Sequence, residues 1–418
     1  MQYNPNRQSP SFVLQLKEEF MDKIEEILTR GVEKIYPSKK ALEKVLRSDK
    51  KLRLYQGFDP SMPNLHLGNL VGILKLKEFQ DLGHEVIFLI GDFTGMIGDP
   101  TEKSAVRPRL TRKQVLDNSK TWKRQVGKIL NFSGPNAAKM MFNSHWSDKI
   151  TFKDLIEISA NFTVQQMIER DFFQTRLREG KPIFLHEFLY PLAQAIDSVK
   201  MAVDLEIGGN DQTFNMLCGR TLMKATKGKE KLILTTKLLV DSKGQKVGKT
   251  TGNALFLNAA PADMYGGIMS FPDEVIVLGF ELLTDIPLSK VRKISETLKK
   301  GTTNPMKIKK ELALEIVKML YSKKEAEEAQ TKFEKIFQKK ELPAEISTYE
   351  VKRGQLLVDI LTESELANSR SEAKRLIQQG SVRISDLPVT NREFKVGAQN
   401  DGTVIRIGKR RFLKLRIS

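Results

Sequence analysis

The sequence predicts an α/β protein: a parallel sheet with helices on both faces over residues 1–260, an α-helical region over 261–345, and a small α+β unit over 351–418. Three observations carry this. Short apolar runs alternate with amphipathic stretches through the first 260 residues, the pattern of a sheet built from β-α units. Gly and Pro gather at the ends of those runs (Gly57, Pro60, Gly91, Gly95, Gly98, Pro100, Gly208, Gly209), where such sheets carry their ligand loops. The last segment is strongly basic, with 14 Lys/Arg against 7 Asp/Glu from Val351 to Ser418, a net +7.

The expected strands are Leu52–Tyr55, Val86–Ile90, Lys139–Phe142, Leu205–Ile207 and Leu232–Thr235, each short and apolar. Helices are expected between them, including Asn69–Asp81, Arg112–Leu130 and Phe184–Val199. Beyond Pro261, Ile308, Leu312, Ile316, Val317 and Leu320 fall on one helical face. Ser322–Lys340 has the charge pattern of an exposed helix, and Glu341–Thr348, with Pro343, that of a linker. In the last unit Ser369 and Glu372 match a capping box and Gly380 a helix stop. Strands follow at Ser381–Ser385, Thr403–Ile407 and Arg411–Ile417.

Composition narrows the function. No apolar run reaches the roughly 18 residues that span a bilayer. Met1–Pro10 has no apolar signal-peptide core. The lone Cys218 rules out a disulfide framework and a cysteine-based zinc site, and His66, His84, His145 and His186 lack metal-ligand spacing. No metal site and a cytoplasmic setting are expected. The net charge of +18, clustered toward the C-terminus, points to a polyanionic partner, most simply nucleic acid.

Two segments hold candidate chemistry. Gly57-Phe-Asp59-Pro-Ser61-Met-Pro-Asn-Leu-His66-Leu-Gly68-Asn69 joins a strand-like run to a helix start, where an α/β fold receives phosphates. It has neither a Walker nor a dinucleotide glycine pattern, so an imidazole and a glycine would meet the phosphates; Gly68, without a side chain, would let a purine or phosphate approach the backbone. Lys243-Gly-Gln-Lys246-Val-Gly-Lys249-Thr250-Thr-Gly-Asn253 sets two lysines three apart on a glycine-rich loop. Displacement at an α-phosphate needs such charge on the departing pyrophosphate more than it needs a base. A third feature is a helical stripe: Tyr190, Gln194 and Asp197 share one face of an otherwise apolar helix.

His-x-Gly early and Lys-x-Gly-Lys-Thr late resemble the His-Ile-Gly-His and Lys-Met-Ser-Lys-Ser signatures of class I aminoacyl-tRNA synthetases. Tyr190-Pro-Leu-Ala-Gln194-Ala-Ile-Asp197, Gly208-Gly-Asn-Asp211-Gln212-Thr-Phe-Asn215 and Gly91-Asp-Phe-Thr94-Gly-Met-Ile-Gly-Asp99-Pro narrow the resemblance to the bacterial-type tyrosyl enzymes. It runs from about Leu52 to Asn253, and Val351–Ser418 resembles the S-four-type RNA-binding module that ends such enzymes. The resemblance implies a Rossmann-like catalytic domain, an anticodon-side helical domain, a homodimer and an ATP-dependent ligase joining tyrosine to tRNA(Tyr).

It also implies roles. Tyr55 and Asp197 would hydrogen-bond the substrate phenol; Thr94, Asp99, Tyr190 and Gln194 would hold its amino group; Asp59 and Gln212 would stand near its carboxylate. Gly57, Gly209 and Asp211 would meet the nucleotide, Asp211 at the ribose, and Ser61 and His66 the triphosphate, beside Gly68 and Asn69. Lys246, Lys249 and Thr250 would embrace pyrophosphate, with Mg²⁺ on the ATP. Arg370, Lys374, Arg375, Arg383, Lys409, Arg410 and Arg411 would grip tRNA phosphates. An aspartate facing the phenol would also select against phenylalanine, which leaves that polar group unpaired.

The chain departs from the family pattern at four places. Asn69 stands where the second signature histidine is usual, Gly248 replaces a serine, Glu206, where many relatives have Gln, adds a negative charge near the pocket, and Thr213-Phe214-Asn215 stands in place of the common Trp-Gly-Asn. Three neighbouring readings stay open on residues alone. One is a non-catalytic RNA-binding or splicing factor built on a synthetase frame, against which the intact lysine loop and tyrosine-pocket residues argue. A tryptophanyl enzyme shares both signatures but usually lacks the basic C-terminal module. A small-molecule adenylyltransferase would be shorter and lack the basic tail.

Overall fold

The structure is a computed structural model that describes residues 23–99, 109–248, 254–337, 346–385, 387–408 and 411–418. The chain divides into two compact units, Met1–Glu328 and Ala329–Ser418. The first is built on a six-stranded sheet. Its strands are β1 (Val32–Tyr36), β2 (Arg53–Phe58), β3 (Glu85–Ile90), β4 (Lys139–Phe142), β5 (Leu205–Gly209) and β6 (Leu232–Thr236), in spatial order β1-β6-β5-β2-β3-β4. The five expected strands are all present and mutually parallel. The sixth, β1, pairs antiparallel with β6 at the edge. Its sequence, Val-Glu-Lys-Ile-Tyr, has two adjacent charges that break the apolar run, so periodicity alone passes over it.

The strand order reverses between β2 and β5, which makes the crevice beyond their carboxyl ends the topological switch point. Tyr55 on β2 and Glu206 on β5 are register neighbours, and both side chains leave the sheet on one face. Four of the unit's helices are α1 (Leu67–Asp81), α2 (Arg112–Ser119), α3 (Leu189–Lys200) and α4 (Thr213–Lys227), and Thr94 opens a short helix of its own, Thr94–Ile97. α1 begins two residues earlier than expected, with His66 as its N-cap residue.

Two expected helices are broken. Arg112–Leu130 divides into α2 and a short helix Trp122–Val126: the Lys120 N–H turns back only three residues, to the Asp117 carbonyl, and the buried Trp122 indole donates to the Pro63 carbonyl at 3.2 Å. Phe184–Val199 starts as a 3₁₀ turn, Leu185–Phe188, and becomes α-helical only at Leu189. Pro191 has no N–H to donate and fits only the first turn of a helix.

The rest of the first unit is helical. α5 (Pro305–Leu320) buries the expected face of Ile308, Leu312, Ile316, Val317 and Leu320. A helix over Lys323–Phe337 corresponds to the expected charged stretch; most of the expected linker lies outside the described residues.

The second unit holds a five-stranded sheet, β7 (Thr348–Val351), β8 (Val382–Ile384), β9 (Leu387–Pro388), β10 (Val404–Ile407) and β11 (Arg411–Ile417), in order β7-β11-β10-β8-β9. Against it lie α6 (Leu357–Glu363) and α7 (Arg370–Gln378), around a core that includes Val351, Leu357, Leu361, Ile377, Val382, Ile405 and Leu415. Ser369 caps α7 by accepting from the Glu372 N–H at 3.1 Å. The Glu372 carboxylate reaches back one residue further than a capping box requires, to the Asn368 N–H at 2.8 Å.

Candidate active site

A cavity of about 540 Å³ opens at the carboxyl ends of β2, β3 and β5. Its lining contains Tyr55, Gly57, Asp59, Ser61, His66, Gly68, Asn69, Thr94, Asp99, Tyr190, Gln194, Asp197, Gly209, Asp211, Gln212 and Lys246. These are all the catalytic, amino-acid and nucleotide candidates except Lys249 and Thr250, which lie outside the described residues.

At one end of the cavity two groups converge on one carboxylate. Thr94 Oγ1 donates to Asp59 Oδ1 at 2.6 Å and the Tyr190 hydroxyl donates to Oδ2 at 2.9 Å. Burial, helped by the nearby Asp99, pushes Asp59 up to about 7, although both hydrogen bonds favour its charged form. Thr94, having given its one proton to Asp59, accepts from Asn143 Nδ2 at 3.0 Å. Asp59 therefore stands with Thr94 and Tyr190, the pair expected at the substrate amine. Gln212 donates to Asp99, and the Arg170 guanidinium lies 3.7 Å from the other Asp99 oxygen. Asp59 and Asp99 thus put two carboxylates at this end of the cavity.

Asp197 is 2% exposed and takes hydrogen bonds from Trp146 Nε1 at 2.8 Å and Asn143 Nδ2 at 3.2 Å. Burial holds its carboxyl well above the usual carboxylate range. The buried Tyr55 hydroxyl lies 3.0 Å from Ser198 Oγ, and burial raises this phenol too. The Tyr190–Gln194–Asp197 stripe thus faces a cavity, not solvent.

Glu206 does not add the free charge expected of it. The buried ammonium of Lys231 pairs with it, and Gln194 Nε2 donates to its other oxygen at 2.9 Å.

The nucleotide candidates sit at the opposite end. The His66 N–H donates to Asn69 Oδ1 at 3.0 Å, which closes the first turn of α1. A Cβ on Gly68 would stand 2.9 Å from the His66 ring. The missing side chain therefore makes room for the imidazole, and Gly68 itself lines the cavity beside it. Gly57 does leave room: a Cβ there would meet only Leu89, at 3.8 Å. A Cβ on Gly209 would crowd Asp211 at 2.5 Å.

The lysine segment folds back as a small hairpin in which Val240 bridges Lys246 and the Val247 N–H reaches the Leu239 carbonyl. Lys246 Nζ donates to Asp211 Oδ2 at 2.8 Å. Just beyond, His66 bridges Phe256 and the Leu67 N–H donates to the Leu255 carbonyl at 3.0 Å. The two signature segments, 180 residues apart in sequence, are thereby joined at the start of α1.

Sequence reasoning missed Asn143, Trp146, Arg170, Ser198 and Lys231. None repeats at a helical or strand period with the residues it serves. Phe214, noted only as a departure from a common Trp-Gly-Asn, stacks on Arg170 with the guanidinium 5.0 Å from its ring centre.

In the second unit Arg370, Lys374 and Arg375 are exposed on α7 and Arg383 on β8. Arg370 pairs with Asp359, and Arg411 donates to the Leu366 carbonyl. Lys409 and Arg410 lie outside the described residues.

Known proteins show the same two parts. Residues 47–338 match the family described as tRNA synthetases class I (W and Y), and residues 337–415 match the Tyrosine--tRNA ligase SYY-like C-terminal domain. Tyrosine--tRNA ligases of Thermotoga maritima and Carboxydothermus hydrogenoformans are each 42% identical, over 93% of this chain and 96% and 97% of theirs. A C-terminally truncated mitochondrial tyrosyl-tRNA synthetase of Coccidioides posadasii superposes with a TM-score of 0.60 at 24% identity, over 77% of this chain and 95% of that one. That of Aspergillus nidulans gives 0.62 at 21%, over 78% and 100%. At those identities the structural likeness shows the fold.

The chain belongs to the class I tRNA synthetases of the tryptophan and tyrosine group, and its C-terminal match and curated relatives place it among the tyrosine--tRNA ligases. It is an ATP-dependent ligase that activates L-tyrosine to tyrosyl-adenylate with release of pyrophosphate, then transfers tyrosine to the terminal adenosine of tRNA(Tyr).

Proposed function

We propose that the cavity at the β2–β5 switch point carries both steps, with roles divided along its length. The observation that carries this reading is the convergence of Thr94 and Tyr190 on Asp59 in a pocket shared with Asp99 and Asp197. That end takes the amino acid: Asp59, Thr94, Asp99, Tyr190, Gln194 and Gln212 around the amine and carboxylate, Tyr55 and Asp197 around the phenol. Gly57, Ser61, His66, Gly68, Asn69, Gly209 and Asp211 line the nucleotide end.

The tyrosine carboxylate is ionised at pH 7 and needs no general base. One of its oxygens attacks the α-phosphorus of ATP; a C–O–P bond forms and the bond to pyrophosphate breaks. His66, Lys246, Lys249 and Thr250 stabilise the charge that grows on the departing group. Mg²⁺ arrives on the triphosphate as part of the substrate; among the described residues no three His, Cys, Asp or Glu gather to hold a resident ion. The terminal ribose hydroxyl of tRNA then attacks the anhydride carbonyl, and AMP leaves.

The tRNA is gripped by the basic side chains of residues 351–418, an S-four-type module, with residues 261–345 on the anticodon side. The enzyme is a homodimer. The amphipathic helix Phe152–Ser159 buries none of its residues, and its Phe152 and Ile156 are 78% and 57% exposed, apolar side chains suited to contact with a second copy. No described helix is long and apolar enough to cross a membrane, and a cytoplasmic setting fits this chemistry.

Tyrosine-dependent and phenylalanine-dependent pyrophosphate exchange test the division. Asp197→Ala is expected to lower the preference for tyrosine, because a hydroxyl partner is removed. An unchanged ratio would remove Asp197 from the phenol end.

A further inference from the structure

Behind the amino-acid end lies a second layer of polar groups. Lys231 precedes β6 and is 0% exposed; Glu206 on β5 is 1% exposed. Ile233 is the register neighbour of Glu206, and the two-residue period of a strand puts Lys231 on the same face as Ile233. The ammonium pairs with Glu206 Oε2 and donates to Ser198 Oγ at 2.9 Å. Glu206 Oε2 also lies 3.3 Å from the Ser198 hydroxyl, and Oε1 accepts from Gln194 at 2.9 Å. Ser198 in turn meets the Tyr55 hydroxyl at 3.0 Å. Gly219 of α4 leaves space for the cluster: a Cβ there would stand 2.4 Å from Lys231 Nζ and 2.8 Å from Ser198 Oγ.

We infer that Lys231 is a positioning residue for tyrosine recognition: by neutralising Glu206 it fixes the Gln194 amide and, through Ser198, the Tyr55 hydroxyl at the two ends of the substrate. A buried carboxylate without a partner draws every nearby donor to itself. With Lys231 in place, Glu206 needs only one N–H of Gln194, and the remainder of that amide faces the cavity. Ser198 donates its one proton toward Glu206 at 3.3 Å and accepts from Lys231 at 2.9 Å, which holds its oxygen in place as the acceptor for the Tyr55 hydroxyl. A neutral glutamine at 206 would need no ammonium behind it, so Glu206 and Lys231 act as one unit.

The inference rests on the proposed placing of Tyr55 and Gln194 against tyrosine. Its test is steady-state pyrophosphate exchange on the full-length enzyme. Lys231→Met should raise the KM for tyrosine by about tenfold or more, since it leaves an unpaired buried carboxylate. It should also lower the tyrosine-to-phenylalanine ratio, while the KM for ATP and the kcat at saturating tyrosine stay nearly constant. Adding Glu206→Gln to Lys231→Met should return both tyrosine values toward those of the parent. A folded Lys231→Met enzyme with unchanged tyrosine KM and ratio overturns the inference. So does a loss confined to kcat, which marks a merely structural pillar. Where Lys231→Met does not fold, Ser198→Ala decides: it cuts the link to Tyr55 without exposing a charge and should lower the same ratio, and an unchanged ratio overturns the inference. If Asp197→Ala alters the ratio and these variants do not, the positioning role fails and the site assignment stands; if Asp197→Ala leaves the ratio unchanged, the assignment itself fails.

Discussion

Lys246 Nζ lies 2.8 Å from Asp211 Oδ2, which ties the lysine hairpin to the loop after β5. Both side chains are partly exposed, so the pair adds little to stability; its interest is in placing an ammonium at the nucleotide end. The amine-side cluster of Asp59, Thr94 and Tyr190 is held together by its own hydrogen bonds, without Lys246. Lys246→Ala is therefore expected to slow adenylate formation on the order of 10²-fold, the scale for removing one preorganised charge-stabilising donor, and to leave the Kd for tyrosine unchanged. Pyrophosphate exchange and equilibrium tyrosine binding give the two numbers. Equal losses in both would move Lys246 out of the transition state.

Asp59 is expected to make tyrosine binding depend on pH near neutrality. Burial raises its carboxyl from the ordinary 3.8 to about 7. The proton it keeps on folding favours the native state below about pH 4, and that contribution fades as pH rises through 7. A substrate ammonium requires the ionised form. That form falls from nine-tenths to one-tenth of the population between pH 8 and pH 6, so the Kd for tyrosine should weaken about tenfold over that interval. Asp59→Asn should bind more weakly and show no such slope. A flat profile in the parent would mean that Asp59 does not face the amine.

What could be seen in the sequence was pattern along the chain. Five strands are short, mostly apolar runs, the apolar face of α5 and the Tyr190–Gln194–Asp197 stripe each have a helical period, and the two signature segments have fixed internal spacing. What could not be seen was what meets only after folding. Lys231 stands at the start of an apolar run, a position that suggests a solvated charge, and only the register of β5 with β6 turns it onto Glu206. Asn143 follows β4 with no patterned neighbour, yet it spans Thr94 and Asp197. Ser198 sits beside Asp197 and was hidden by it. A glycine in a phosphate-like loop suggests ligand approach, and only the fold adds that the missing side chain also makes room for the His66 ring.

Asn69 has a role that needs no nucleotide. Its side-chain oxygen takes the His66 N–H at 3.0 Å and so satisfies a donor at the N-terminus of α1. Asn69→Ala should cost about 1 kcal/mol, the usual scale for a lost helix-terminal side-chain bond. It should lower the thermal midpoint and raise the KM for ATP, because the same turn sets His66. Asn69→His, which restores the usual signature and an acceptor on a short side chain, should recover part of both. A stable Asn69→Ala enzyme with only its ATP KM raised would assign Asn69 to the ligand instead.

Tyrosine activation and tRNA charging should separate along the chain. The cavity is lined wholly by residues between Tyr55 and Val247, while the second compact unit has its own sheet and core. Exposed Arg370, Lys374, Arg375 and Arg383 give that unit a basic surface. Phosphate contacts of this kind release counterions, so each one lost lowers the slope of log affinity against log salt by about 0.7–0.9. Removing residues 346–418 should thus leave tyrosine-dependent pyrophosphate exchange near the parent value and weaken tRNA charging. The joint variant Lys374→Ala, Arg375→Ala should do the latter more mildly, with a shallower salt dependence and no change in tyrosine KM. Charging at the parent rate and the parent salt slope would show that the C-terminal unit does not hold the tRNA.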